Sequence, residues 1–122
     1  MKRKHHELLA WQEAVGLVRL IYETTSKFPK DEVYALTSQM RRAAVSIPSN
    51  IAEGVGRASD KEFMRFLTIA RGSLSELETQ IIIGYELGYM KNNKNLLMKT
   101  DKVFGLLGGL MKYTKRKIKI QS

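Results

Sequence analysis

The side chains that most often carry chemistry are few in this sequence and poorly spaced for it. The two histidines, His5 and His6, are adjacent. On a helix they point in different directions, so the reading is a surface or frayed pair and no metal site. There is no cysteine, which excludes disulfides, thiolate metal sites and thiol nucleophiles. Glu76 and Glu78 are two residues apart and diverge on a helix, so they do not form a general acid/base pair. The inward Glu-x-x-His motif of diiron bundles does not occur. Gly54-Val55-Gly56 is too short for a phosphate-binding loop and lacks a following Gly-Lys-Ser/Thr. Ser46 and Ser49 have no histidine within reach along the sequence. These residues predict no catalytic site, no metal centre and no cofactor, and hence a non-enzyme.

Two patterns do stand out. Arg42, Ser46, Asn50, Glu53 and Arg57 recur at helical spacing beside the small residues Ala43, Ala44, Ala52, Gly54 and Gly56. One reading is a half-buried polar seam: Glu53 pairs with an arginine, Asn50 satisfies backbone freed by Pro48, and the small residues admit a neighbouring helix. The other is a ligand or partner site beside a helix kink.

The second pattern is charge. The net charge of +9 is uneven: residues 91–122 hold nine basic groups and one acidic group. Lys91, Lys94, Lys102, Lys112 and Arg116 are the candidate contacts for nucleic acid, RNA or DNA, through salt-dependent binding to phosphate. A plain solvated lysine face competes with that reading. An acidic protein surface is the alternative partner for the same field. Aromatic interleaving is thin, with only Tyr113 and Tyr89 nearby, so single-strand stacking has little support in the sequence.

The elements that carry these residues are helical. Leu8, Trp11, Val15, Val18 and Tyr22 recur at three- and four-residue steps over about 6–27, with Leu9, Leu17 and Ile21 widening the stripe. Phe28-Pro29 ends that segment, and Asp31 is the expected N-cap of the next, about 32–57. There Leu36, Met40, Ala43, Ala44, Ile47, Ile51 and Val55 share one face. Pro48 predicts a kink, although two shorter helices meeting at Ile47-Pro48 also fit. Ser59 or Asp60 is the expected cap of a third segment, about 60–87; Ser59 and Glu62 also match a capping box, and Gly88 closes the segment. The fourth, about 94–115, contains Gly105, Gly108 and Gly109, each unfavourable in a helix by roughly 1 kcal/mol relative to alanine. The tail from Lys115 is expected to fray. Short connections between long helices imply a single all-α domain over 1–122, an antiparallel up-down-up-down four-helix bundle with the second helix kinked near Pro48.

The chain's 122 residues suit one core. No apolar run approaches the ~20 residues needed to span a bilayer, and no signal-peptide stretch follows the basic start. A soluble, cytoplasmic protein with no membrane and no small-molecule partner is the expectation. The apolar stripe of the first segment covers more than one face, which argues for a homo-oligomer.

The run Leu36-Thr37-Ser38-Gln39-Met40-Arg41-Arg42-Ala43-Ala44-Val45-Ser46-Ile47-Pro48-Ser49-Asn50-Ile51-Ala52-Glu53-Gly54 closely resembles a known family, as do Trp11, Ala14, Phe28-Pro29 and Ala70-Arg71-Gly72-Ser73-Leu74-Ser75-Glu76-Leu77. They resemble the four-helix-bundle proteins encoded in intervening sequences of bacterial 23S rRNA genes, over about residues 8–113. The resemblance implies a ring-like homo-oligomer, commonly a pentamer, and carries over no catalytic residues. It also implies a relation to bundles that accompany the reverse transcriptases of diversity-generating retroelements, where a basic oligomer binds nucleic acid and the polymerase. A scaffold docking an acidic partner such as a polymerase or reverse transcriptase is therefore the second functional expectation.

Overall fold

Residues 3–121 are described by a computed structural model. A short 3-10 helix, Lys4–Glu7, leads into α1 (Leu9–Thr25), and a second, Lys30–Glu32, precedes α2 (Leu36–Val55); α3 (Asp60–Glu86) and α4 (Lys94–Gln121) follow. Among the described residues there is no strand.

Local chemistry explains most boundaries. His5 and His6 lie in the first 3-10 helix rather than in α1, with ring centroids 5.3 Å and 4.9 Å from that of Trp11. They are half-buried, so the expected surface or frayed pair is instead a small aromatic cluster at the entry to α1. Asp31 does not cap α2: it sits in the 3-10 helix, and the Glu32 carboxylate accepts from the Leu36 N–H at 3.3 Å. The α2 helix is continuous through Pro48, which removes the reading of two shorter helices. The Ser59 hydroxyl caps α3 by accepting from Glu62 N–H at 3.2 Å. Glu62 does not complete the box, because its carboxylate faces the Arg65 guanidinium at 3.3 Å. At the other end Gly88 adopts φ +80°, and the Tyr89 N–H bonds the Gly84 carbonyl at 3.0 Å in a Schellman closure. Finally, α4 does not fray at Lys115 but stays helical to Gln121.

The four helices form a bundle in which α2 packs on α1 and α3, and α4 packs on α3 and α1. Along the α2–α3 seam Ser46 meets Ser73 while Gly54 meets Phe63, so position rises on one helix as it falls on the other. The interior is filled by Leu17, Ile21, Met40, Ile47, Ile51, Leu67, Leu74, Leu77, Ile81, Val103 and Leu107, all fully buried. Burying a side chain of this size contributes about 1.5–3 kcal/mol, so this set supplies the main driving force.

The core face of α1 keeps Leu17 and Ile21 of the expected stripe, with Leu8, Trp11 and Val18 half-buried against the core, and adds Ala10 and Ala14. Ala10, Ala14, Leu17 and Ile21 face inward, whereas Leu9, Val15 and Tyr22 are exposed. Alanine lets the neighbouring helices approach closely there. Further apolar side chains, among them Ile69, Ile82, Ile83 and Met98, are also left in solvent.

The tightest approach is at Gly54. A Cβ there would lie 2.8 Å from Phe63 Cδ1 and 2.9 Å from Phe66 Cβ. Gly72, by contrast, is exposed and has nothing within 4 Å of a built Cβ. Gly54→Ala should lower stability by about 1–3 kcal/mol through overpacking. Gly72→Ala should raise it by about 0.5–1 kcal/mol through helix propensity. Urea unfolding of the two variants checks the opposite signs.

Candidate nucleic-acid interface

The basic residues of α4 do not form one site. Lys91 lies before the helix and Lys94 is its first residue, while Lys112 and Arg116 sit near its other end. At 1.5 Å per residue, Lys94 and Arg116 are separated by about 33 Å of helix. Lys102, between them, is already engaged: its Nζ lies 3.4 Å from Glu13 Oε1, and Lys99 Nζ lies 3.3 Å from the same oxygen. One α1 carboxylate thus offsets two cations in the middle of α4.

The C-terminal half of α4 is different. Lys112, Lys115 and Arg116 are exposed, and none has an ion-pair partner among the described residues. Lys112 and Arg116 are four apart and share a crest, with a hollow on either side. On the α3 side a groove of about 500 Å³ is lined by Arg71, Lys112 and Lys115 around Met64, Gly108 and Met111. On the opposite side a cavity of about 490 Å³ lies among the first 3-10 helix, the α2–α3 connection and α4. It is lined by the apolar and aromatic side chains of Leu8, Phe63, Leu110 and Tyr113 and by the charged ones of Lys4, Arg57, Asp60 and Lys117. Asp60 ties this end together, accepting from Gln121 Nε2 at 2.8 Å and lying 3.5 Å from Lys117 Nζ. These contacts explain why the tail is helical.

The polar stripe of α2 divides in two. Ser46 and Asn50 form a cluster with Ser73 of α3: the two serine hydroxyls are 2.9 Å apart, and Asn50 Nδ2 donates to the Ser46 hydroxyl and carbonyl at 2.9 Å and 2.8 Å. Asn50 therefore does not serve the carbonyl that Pro48 leaves without its usual donor, which is that of Ala44. Glu53 and Arg57 form an exposed pair at 3.2 Å one turn further on, and the Arg57 guanidinium also lies 4.8 Å from the Phe66 ring centroid. Arg42 is exposed and separate from both. The stripe is a seam at Ser46–Asn50 and a surface pair at Glu53–Arg57, and only Arg57 reaches the basic end.

Sequence spacing does not reveal this basic end as a site. Its residues come from segments as distant as Lys4, Arg57, Asp60 and Lys117, which no periodicity within one helix connects. The local signal was the Lys115-Arg116-Lys117 run, whose significance depended on the tail being ordered. Among the described residues no group of three or more histidine, aspartate or glutamate side chains is placed to hold a metal ion. No helix there is long and apolar enough to cross a membrane.

Two titrations are displaced from their usual positions. The Lys99 hydrogen bond holds the Glu13 carboxyl below the ordinary carboxylate value; burial opposes the shift and Lys102 adds to it. The Tyr89 phenol is pushed up, chiefly because its hydroxyl donates to the Glu32 carboxylate at 2.6 Å. Because Glu13 is depressed in the folded chain, its contribution is present above the unfolded carboxylate value and is lost as pH falls through the folded one. Lys99→Met should move the Glu13 midpoint upward in a side-chain carboxyl NMR titration.

A family model described as 23S rRNA-intervening sequence protein matches residues 6–109. No curated protein matches the chain. The matched residues run from the His6-Trp11 cluster through α2 and α3 to Gly109, the midpoint of α4. With most of the bundle inside that span, the chain belongs to the 23S rRNA-intervening sequence protein family.

Proposed function

We propose that this protein is a non-enzymatic, cytoplasmic nucleic-acid-binding bundle whose phosphate-contacting surface is the C-terminal half of α4. The observation that carries the reading is the contrast within one helix: Lys99 and Lys102 are offset by Glu13, while Lys112, Lys115 and Arg116 stand exposed without carboxylate partners among the described residues. A cluster of uncompensated cations on a rigid helix attracts a polyanion and releases its counterions on contact. Among the candidates from the sequence, Lys112 and Arg116 belong to this surface. Lys102 contributes little, and Lys91 and Lys94 lie at the far end.

Self-association is part of the same proposal. Leu9, Val15, Ile82, Ile83 and Met98 are between 41% and 68% exposed, apolar side chains that a second copy could cover. A homo-oligomer would cover part of that set, the ring of five that the family resemblance implies being one such assembly. It would also repeat the basic end around an axis, so several weak phosphate contacts act together. The scaffold reading differs in its partner: recovery of bound material from the native host would resist nuclease if an acidic protein were the target.

In mobility-shift titrations over a series of salt concentrations, binding should weaken steeply with salt. Lys112→Gln and Arg116→Gln should each weaken it regardless of sequence and lower the log–log salt slope by about one. Lys102→Gln should have a smaller effect. Absence of RNA or DNA binding at low salt would overturn the reading. Light scattering at micromolar concentration should give a mass above the 13.9 kDa of a single chain; a monomer mass would overturn the oligomer.

A further inference from the structure

We infer that the cavity at the α2–α3 turn seats one unstacked base of a single strand, giving the basic end a preference for single-stranded over duplex nucleic acid. The inference rests on the proposed function and adds which form of nucleic acid is recognised and where. The cavity's volume of about 490 Å³ lies within the range of small-ligand pockets, ample for a nucleobase. Its lining combines two kinds of group that a nucleotide needs. Phe63 and Tyr113 supply aromatic surface for a base, and Tyr113 is 57% exposed. Lys4, Arg57 and Lys117 supply cations; Asp60 faces Lys117 at 3.5 Å and Glu53 pairs with Arg57 at 3.2 Å from outside the lining, so the cavity presents both charge and ion-paired donors to a phosphate. Lys117 Nζ lies 5.4 Å from the Tyr113 ring centroid and 3.5 Å from Asp60 Oδ1, so ring and charge are presented side by side.

The cavity adjoins the crest of Lys112 and Arg116, so a strand whose backbone follows that crest can turn one base inward. A duplex would have to break pairing and stacking to do the same, and that difference generates the preference. Tyr113 and Lys117 lie beyond the residues matched by the family model, so the pocket is completed by this chain's own tail.

The test uses the full chain and two fluorescein-labelled probes, a short single-stranded oligonucleotide and its duplex, followed by anisotropy. Wild type should bind the single strand more tightly. Tyr113→Ala should weaken single-strand binding about tenfold, the scale of one lost base–aromatic stack, and leave duplex binding and the salt slope unchanged. Tyr113→Phe, which keeps the ring, should retain single-strand affinity, and circular dichroism should show equal helicity in both variants. Equal wild-type affinity for the two probes, or equal losses on both in Tyr113→Ala, would overturn the pocket while leaving the basic surface standing. Failure of wild type to bind either probe would overturn both.

Discussion

The close approach of α2 to α3 is the constraint on which the rest of the structure depends. At Gly54 the two helices come so near that a single methyl group would collide with the side chains of Phe63 and Phe66. Two turns back, Ser46 and Ser73 exchange a hydrogen bond across the same seam, and Ala43, Ala44 and Ala70 are buried nearby. Small side chains give up area per residue but allow tight packing along the whole seam. Pro48, buried in mid-helix, is compatible with this because the packing on either side holds α2 as one element. Since the α2–α3 turn follows directly from Gly54, the seam also fixes where Arg57, Ser59 and Asp60 stand.

Those turn residues in turn organise the end of α4. Asp60 lies at the start of α3 and receives Gln121 and Lys117, so the last turns of α4 are held against the rest of the bundle. A charged tail of this composition has little reason to be helical alone, because nucleation is costly and like charges at one-turn spacing repel. Anchored, it becomes a rigid row of cations. The same helix is electrostatically quiet at its middle, where Glu13 faces Lys99 and Lys102. The functional proposal follows from that difference in compensation, which net charge per segment does not disclose.

The fold was legible from helical periodicity, the Phe28-Pro29 and Gly88 stops, and the Ser59 cap. Leu17, Met40, Ile47 and Ile51 all lie on the expected apolar stripes and are all buried. Periodicity did not disclose that Ala10 and Ala14 extend the inward face of α1 while Leu9, Val15 and Tyr22 of the expected stripe stay exposed, because alanine gains its place by allowing close packing rather than by its own hydrophobicity. It also missed the helical tail, whose stabilising partner is 61 residues away in Asp60. The polar stripe on α2 was legible as a stripe but not as two separate features, since Ser73, which completes the Ser46–Asn50 cluster, sits on another helix. Long-range partners account for each gap.

Amide hydrogen exchange of the full chain, with and without a saturating single-stranded oligonucleotide, tests most directly that the basic end is where nucleic acid is held. The account predicts new protection concentrated in residues 110–121, with smaller gains around 4–8 and 57–63, and none around 22–42 at the opposite end. Protection centred on 22–42, or spread evenly along the four helices, would contradict it.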